Sequence, residues 1–156
     1  MPKIFDNIEN HLSNTLKQTL EMSYRSDFCV GYFNLRGWKQ VADKIEKWNG
    51  GENNSCRLLV GMQNLGKDTL KEYFSTTETN SIDNQEAIKI KKRLAQEFKD
   101  QLTIGIPTEA DEVGLRKLAK QIKEKKVFVK LFFRHPLHAK LYLLFRKDPI
   151  GPKLAI

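Results

Sequence analysis

The chain has 156 residues, enough for one domain with a core of its own. Its 40% hydrophobic and 29% charged content is ordinary for a soluble globular protein. No uninterrupted apolar run reaches the roughly 18 residues of a membrane span, and the start "MPKIFDNIEN" has no signal-peptide core. A cytoplasmic protein without a membrane partner is therefore expected.

Ile4, Phe5, Ile8, Leu12, Leu16 and Leu20 fall at helical spacing and predict an amphipathic helix over 4–22. "SDFCVGYF", 26–33, is β-branched and aromatic and reads as a buried strand, with Cys29 as a small core residue. "NLRG" then turns the chain into a helix with Trp38, Val41, Ala42, Ile45 and Trp48 on one face. The two tryptophans read as core rather than as base-stacking platforms. "NGGENNS", 49–55, is a loop, and "CRLLVGM", 56–62, a second strand. A short helix is expected around 69–74 and an exposed loop over 75–85. Cys29 and Cys56 form no metal-type pair and require no disulfide, which suits a reducing compartment.

A helix over 84–102 uses Ala87, Ile90, Leu94, Phe98 and Leu102. "TEAD", 108–111, resembles a helix start with Thr108 as N-cap and Asp111 in the first turn. The following helix is expected to turn Leu115, Leu118, Ala119 and Ile122 inward and Arg116, Lys117, Lys120 and Lys123 outward. "VFVKLFF", 127–133, is a strand, "RHP" a turn, and "LHAKLYLLFR", 137–146, another strand. "KDPIGP" breaks it, and "KLAI" begins one more. An apolar triplet at the end, Leu154-Ala155-Ile156, suggests a fragment of a longer protein. No internal repeat is visible.

Charge is unevenly placed along this order. From Gly114 to Lys147 there are eleven Lys or Arg and one acid, a net of +10, so the rest of a chain of net +8 carries about −2. A field focused on that stretch would attract a polyanion, nucleic acid first; a solvated basic helix face is the plainer alternative.

Within the same stretch lies "HPLHAKLYLL", 135–144. Residues two apart in a strand share a face. One face of 137–146 is Leu137, Ala139, Leu141, Leu143 and Phe145, expected to pack the core. The other is His138, Lys140, Tyr142, Leu144 and Arg146, which sets an imidazole beside an ammonium. An unpaired ammonium is costly to bury, so Lys140 must reach solvent or meet an anion. A phosphodiester fits both groups: lysine neutralises a non-bridging oxygen, and histidine attacks phosphorus or protonates a leaving oxygen. A lone strand histidine in a structural hydrogen bond is the alternative.

"PLHAKLYLLFR", preceded by "VFVKLFF" and followed by "GPKLAI", resembles the phospholipase D superfamily, whose signature is His-x-Lys on a strand. More narrowly, "GYFNLRGW", "RLLVGM" and "PLHAKLYLL" together resemble the phospholipase D-like domain at the N-terminus of bacterial helicase-like proteins and in some restriction nucleases. His138 and Lys140 match the motif. The family's Asp five residues after the lysine is Phe145 here, with Asp148 the nearest acid, and the Gly-Ser-x-x-Asn segment that should follow "KLAI" is absent.

The resemblance implies an α/β fold, a mixed β-sheet flanked by helices in an α-β-α sandwich, as a single domain over 1–156. It also implies metal-independent DNA phosphodiester chemistry through a phosphohistidine. Two His-x-Lys motifs would build one site, so a chain with one motif would pair with a second copy in a symmetric homodimer. The alternatives are a non-catalytic nucleic-acid-binding or dimerisation module of a helicase and, more distantly, a lipid-headgroup hydrolase.

Other candidate contacts surround the motif. Asn34 and Arg36 follow the first strand at its C-terminal end, where α/β ligands bind. Lys130 and Arg134 join them as substrate or DNA contacts; Tyr142 does so unless strand packing alone places it, and His135 unless it is a plain turn residue. His11 reads as surface. "GMQNLGKD", 61–68, nearly fits a phosphate-binding loop, but Asp68 stands where a hydroxyl should bind magnesium. No cofactor is expected in this segment; ATP and magnesium would belong to a helicase portion of a longer chain.

Overall fold

Three apolar runs separated by helical segments can lie side by side only through crossovers, and that is the arrangement observed. The computed structural model describes residues 11–62, 84–103, 108–132, 136–148 and 154–155. Its helices are α1 (Leu12–Glu21), α2 (Leu35–Lys39), α3 (Ala42–Glu46), α4 (Asn84–Leu102) and α5 (Glu109–Lys123). Its strands are β1 (Ser23–Val30), β2 (Cys56–Gly61), β3 (Val127–Phe132), β4 (Lys140–Arg146) and the two-residue β5 (Leu154–Ala155). The sheet order is β3-β2-β1-β4-β5. β1 is parallel to β2 and β2 to β3, whereas β4 runs antiparallel to β1, and β5 antiparallel to β4. The protein is mixed α/β with a mixed sheet.

The core lies between one sheet face and the helices. Phe28, Val30, Cys56, Leu58, Val60, Val127 and Leu144 meet Leu16, Leu20, Leu35, Trp38, Ile45 and Leu118 there. Trp38 and Trp48 are buried, as their spacing predicts. The expected single helix over their segment is instead two short helices, α2 and α3, broken at Gln40–Val41. Asn34 caps α2 by accepting a hydrogen bond from the Gly37 N–H at 2.9 Å. α5 begins with the predicted cap, a capping box in which Thr108 and Asp111 each accept from the other's backbone N–H.

Two expectations about inward faces are corrected. On β4 the buried residue is Leu144, 1% exposed, while Leu141 is 41% exposed. The helix-covered face is therefore the one that carries Lys140 and Tyr142, and Leu141, Leu143 and Phe145 lie on the other. That second face also carries Arg25, Asp27, Cys29, Arg57, Leu59, Phe128 and Lys130, by register with β4. No described helix covers it, and the described residues form two layers; the helix expected around 69–74 lies outside them. Cys29 accordingly is half-buried instead of core.

On α5, Leu118 is buried as expected, but Ala119 and Ile122 face solvent, and Gly114 and Gln121 are buried in their place. Gln121 occupies this position because it satisfies buried polar groups: its Oε1 accepts from Trp38 Nε1 at 3.1 Å, and its Nε2 donates to the Ala42 carbonyl at 2.9 Å.

The expected helix around 69–74, the phosphate-loop-like residues 63–68 and the first residues of the predicted N-terminal helix lie outside the described residues. Among those described, no helix is long and apolar enough to cross a membrane.

Candidate functional site

β1 and β2 each run into Val-Gly at their carboxyl ends, Val30-Gly31 and Val60-Gly61. Glycine at a strand end marks a close backbone approach, and the approaching chain here is 137–139. The Gly31 N–H donates to the Ala139 carbonyl at 2.8 Å. A Cβ on Gly31 would sit 2.2 Å from the Leu137 carbonyl oxygen, and one on Gly61 would sit 3.0 Å from Leu137 Cβ and 2.8 Å from the Gly31 carbonyl oxygen. The two glycines thus let the segment before β4 close over the ends of the parallel strands.

This closure fixes where the His-x-Lys pair lies. Lys140 is the register partner of Val30, the last residue of β1. Because β4 is antiparallel to β1, its beginning meets the carboxyl end of β1. The chain leaves β1 to pair with β2 on one side, while β4 takes the other. Ligands of open α/β sheets bind at such a switch point.

His138 and Lys140 are both exposed and line one cleft of about 560 Å³ with Gly31, Tyr32, Met62 and Tyr142. Neither side chain has a hydrogen bond or ion pair among the described residues. Tyr142 is half-buried, held edge-on against Phe28 with ring centroids 5.0 Å apart. Burial raises its pKa above the usual tyrosine value.

The other sequence candidates are dispersed. Asn34 is near this end of the sheet, but its Oδ1 is taken by the α2 cap. Arg36 is exposed on α2. Lys130 is on the opposite sheet face, beside Arg57 and Leu141, and so is not brought together with Lys140. Arg134 and His135 lie outside the described residues. Gly31, Gly61 and Tyr32 were not singled out from the sequence. The repeated Val-Gly strand endings were the available signal for the two glycines.

The position five after Lys140 also differs in kind. Phe145 is on the uncovered sheet face, with the Arg25 guanidinium 4.0 Å from its ring centroid. Asp148, the nearest acid in sequence, pairs with Arg146 at 3.6 Å, at the far end of β4. Among the described residues no carboxylate pairs with His138.

The basic stretch is partly neutralised. Of its eleven cations, Arg116 pairs with Glu112, Lys117 with Asp43, Lys120 and Lys126 with Glu46 and Glu124, and Arg146 with Asp148. Lysine contacts hold the Asp43 pKa below the usual carboxylate value. At Glu46, burial works to raise the pKa, but hydrogen bonds from Gln121 and Lys120 and the Lys126 charge bring it down. Cys56 is fully buried, and burial pushes its thiol pKa up to about 12, which makes it inert as a nucleophile.

No protein-family model matches the chain, and no curated protein matches it in sequence. The resemblance to the phospholipase D superfamily therefore rests on His138, Lys140, their flanking segments and the segments "GYFNLRGW" and "RLLVGM" alone.

Proposed function

We propose that the domain binds a nucleic-acid phosphodiester at His138 and Lys140, as a phospholipase D-like, metal-independent nuclease module. The observation that carries this reading is the shared cleft. An imidazole and an ammonium, both exposed and without partners among the described residues, line one recess at the carboxyl ends of β1 and β2. The ammonium meets a non-bridging phosphate oxygen, and the imidazole nitrogen adds to phosphorus as the P–O bond to the leaving oxygen breaks. A second His-x-Lys pair from another copy protonates that oxygen, then takes a proton from the water that splits the phosphohistidine. Helicase and restriction systems are the setting this reading implies. DNA is preferred to lipid because the long basic stretch from Gly114 to Lys147 suits an extended polyanion.

The test is cleavage of single- and double-stranded DNA by the chain in excess EDTA. Cleavage that survives chelation and falls by about 10²-fold or more in His138→Ala supports the enzyme.

A second reading, a non-catalytic nucleic-acid-binding module, is favoured by one observation. With Phe145 facing away and Asp148 held by Arg146, no carboxylate among the described residues fixes the His138 tautomer. DNA binding without cleavage, unchanged by His138→Ala, would select it.

A further inference from the structure

The cleft that holds His138 and Lys140 does not end at Tyr142. Val30, Tyr32 and Tyr142 also wall a second recess, of about 210 Å³, that runs toward Phe28, Phe33 and Asn34. The two compartments differ in character: one has a cationic rim, the other aromatic walls. Tyr142 stands between them.

We propose that the second recess is a nucleobase subsite, which takes the base of a nucleotide whose phosphate lies at His138 and Lys140. The proposal rests on the reading of that pair as a phosphate site and adds the substrate's other half. Three features carry it. The aromatic walls are already fixed: Tyr142 is locked edge-on against Phe28 at 5.0 Å, and Phe33 lies between Trp38 at 5.7 Å and Phe98 at 6.2 Å. Walls that need no ordering lose little entropy on binding a flat ring.

Tyr32 is 38% exposed, one of few large aromatic side chains at the surface among the described residues, and it stands just beyond the carboxyl end of β1. Exposed aromatic faces beside a cationic groove are how proteins hold single-stranded nucleic acid without reading its sequence. Asn34 supplies the polar element. Its Oδ1 is occupied by the Gly37 N–H, which fixes the amide and leaves Nδ2 as a donor toward ring acceptors. A sugar links a base to its phosphate directly, so adjoining compartments with a common wall match the pair. An acyl chain would have no use for the tyrosine and asparagine polar atoms.

The experiment compares two fluorescein-labelled oligonucleotides of equal length, single-stranded poly-thymidine and its abasic counterpart, by anisotropy with the wild-type chain. Thymidine-bearing strand should bind about 10-fold more tightly. The ratio of the two affinities should fall toward one in Tyr32→Ala and be retained in Tyr32→Trp. Equal wild-type affinities for the two strands would overturn the subsite. So would tighter binding to phosphatidylglycerol vesicles than to either strand, which would assign the recess to an acyl chain. The underlying phosphate reading fails separately, if Lys140→Gln leaves abasic-strand binding unchanged.

Discussion

The Leu137 carbonyl oxygen stands 2.2 Å from where a Cβ on residue 31 would be, so position 31 admits glycine alone without displacement of the backbone. The blocking atom is main chain, which cannot rotate away as a side chain would. Gly31→Ala should push the 137–139 segment off the end of β1 and break the Gly31–Ala139 hydrogen bond. The expected cost is about 1–3 kcal/mol of stability, with weakened oligonucleotide binding because His138 and Lys140 move with that segment. Gly37→Ala is the control. Its Cβ would meet only the Asn34 side-chain oxygen, at 3.5 Å, and a helical glycine replaced by alanine gains about 0.5–1 kcal/mol. Urea denaturation of both variants, with binding measured on each, checks the contrast.

Leu144 and Leu141 lie on one strand three residues apart and should respond very differently to truncation. Leu144 is 1% exposed in the main core, and Leu144→Ala should cost about 2–5 kcal/mol. Leu141 is 41% exposed on the uncovered face, and Leu141→Ala should cost under about 1 kcal/mol. Equal losses in thermal or urea denaturation would mean that both faces are packed.

That pair also marks how far the sequence was legible. Alternation separated the two faces correctly over Lys140–Arg146, the part of the expected strand 137–146 that is strand, because a strand's period is two whatever surrounds it. It did not say which face meets the helices. Leu137, Leu141, Leu143 and Phe145 are the more apolar set, yet Leu144 with Tyr142 meets the core. Hydrophobicity ranks faces well only when one is polar, and both faces of this strand are apolar enough. α5 failed for a related reason. Ile122 outranks Gln121 on any apolar scale, but only a side chain with both a donor and an acceptor can serve Trp38 Nε1 and the Ala42 carbonyl together. Local signals fared better: the Thr108–Asp111 box and the bounds of α4, Asn84–Leu102, match what capping and periodicity predict. The site was half legible. His-x-Lys is a local pattern at the start of β4, with His138 just before the strand and Lys140 its first residue, but its glycine backing and its aromatic neighbour Tyr32 lie at the carboxyl ends of β1 and β2 and meet it only in the folded sheet.

Gln121→Leu should destabilise although leucine is the more apolar residue. The change leaves the buried Trp38 N–H and the Ala42 carbonyl without their partner, at about 1–3 kcal/mol for such an unsatisfied group. It also releases Glu46, to whose Oε2 the amide donates at 2.9 Å. A shift of Trp38 fluorescence in the folded variant should accompany the lowered urea midpoint. A Gln121→Leu protein as stable as the wild type would mean that water or another side chain replaces the amide.

Acid should weaken the fold through carboxylates whose pKa values folding depresses. Asp111 is the clearest: hydrogen bonds from Lys39 and then Thr108 hold it at about 2. Burial works to raise Asp27, but hydrogen bonds from Arg57 and Arg25 outweigh it and leave the pKa lowered. A carboxylate with a depressed folded pKa binds its proton more readily when unfolded. Its contribution is present above the unfolded value, about 3.9 for aspartate, and is lost as pH falls through the folded value. Stability should therefore hold down to about pH 5 and decline toward about pH 2. Asp111→Asn should flatten the lower part of that decline, as read from urea midpoints across the range. Unchanged slope in that variant would show that the Lys39–Asp111 contact does not persist in solution.

Lysines of the basic stretch should divide by whether an acid already holds them. Lys140 has no ion pair among the described residues, whereas Lys117 is bound to Asp43 across from α3. A lysine that meets a phosphate releases a counterion from the nucleic acid, so its removal lowers the steepness with which affinity falls as salt rises. Lys140→Gln should reduce that log–log slope by about one and weaken binding to all sequences alike. Lys117→Gln removes a charge that Asp43 already offsets, and the slope should stay close to the wild-type value. Anisotropy titrations of one oligonucleotide across a salt series separate the two. A slope that falls equally in both variants would place the polyanion along the outer face of α5, where Asp43 would have to release its partner to make room, and would remove the cleft beside β1 from the account.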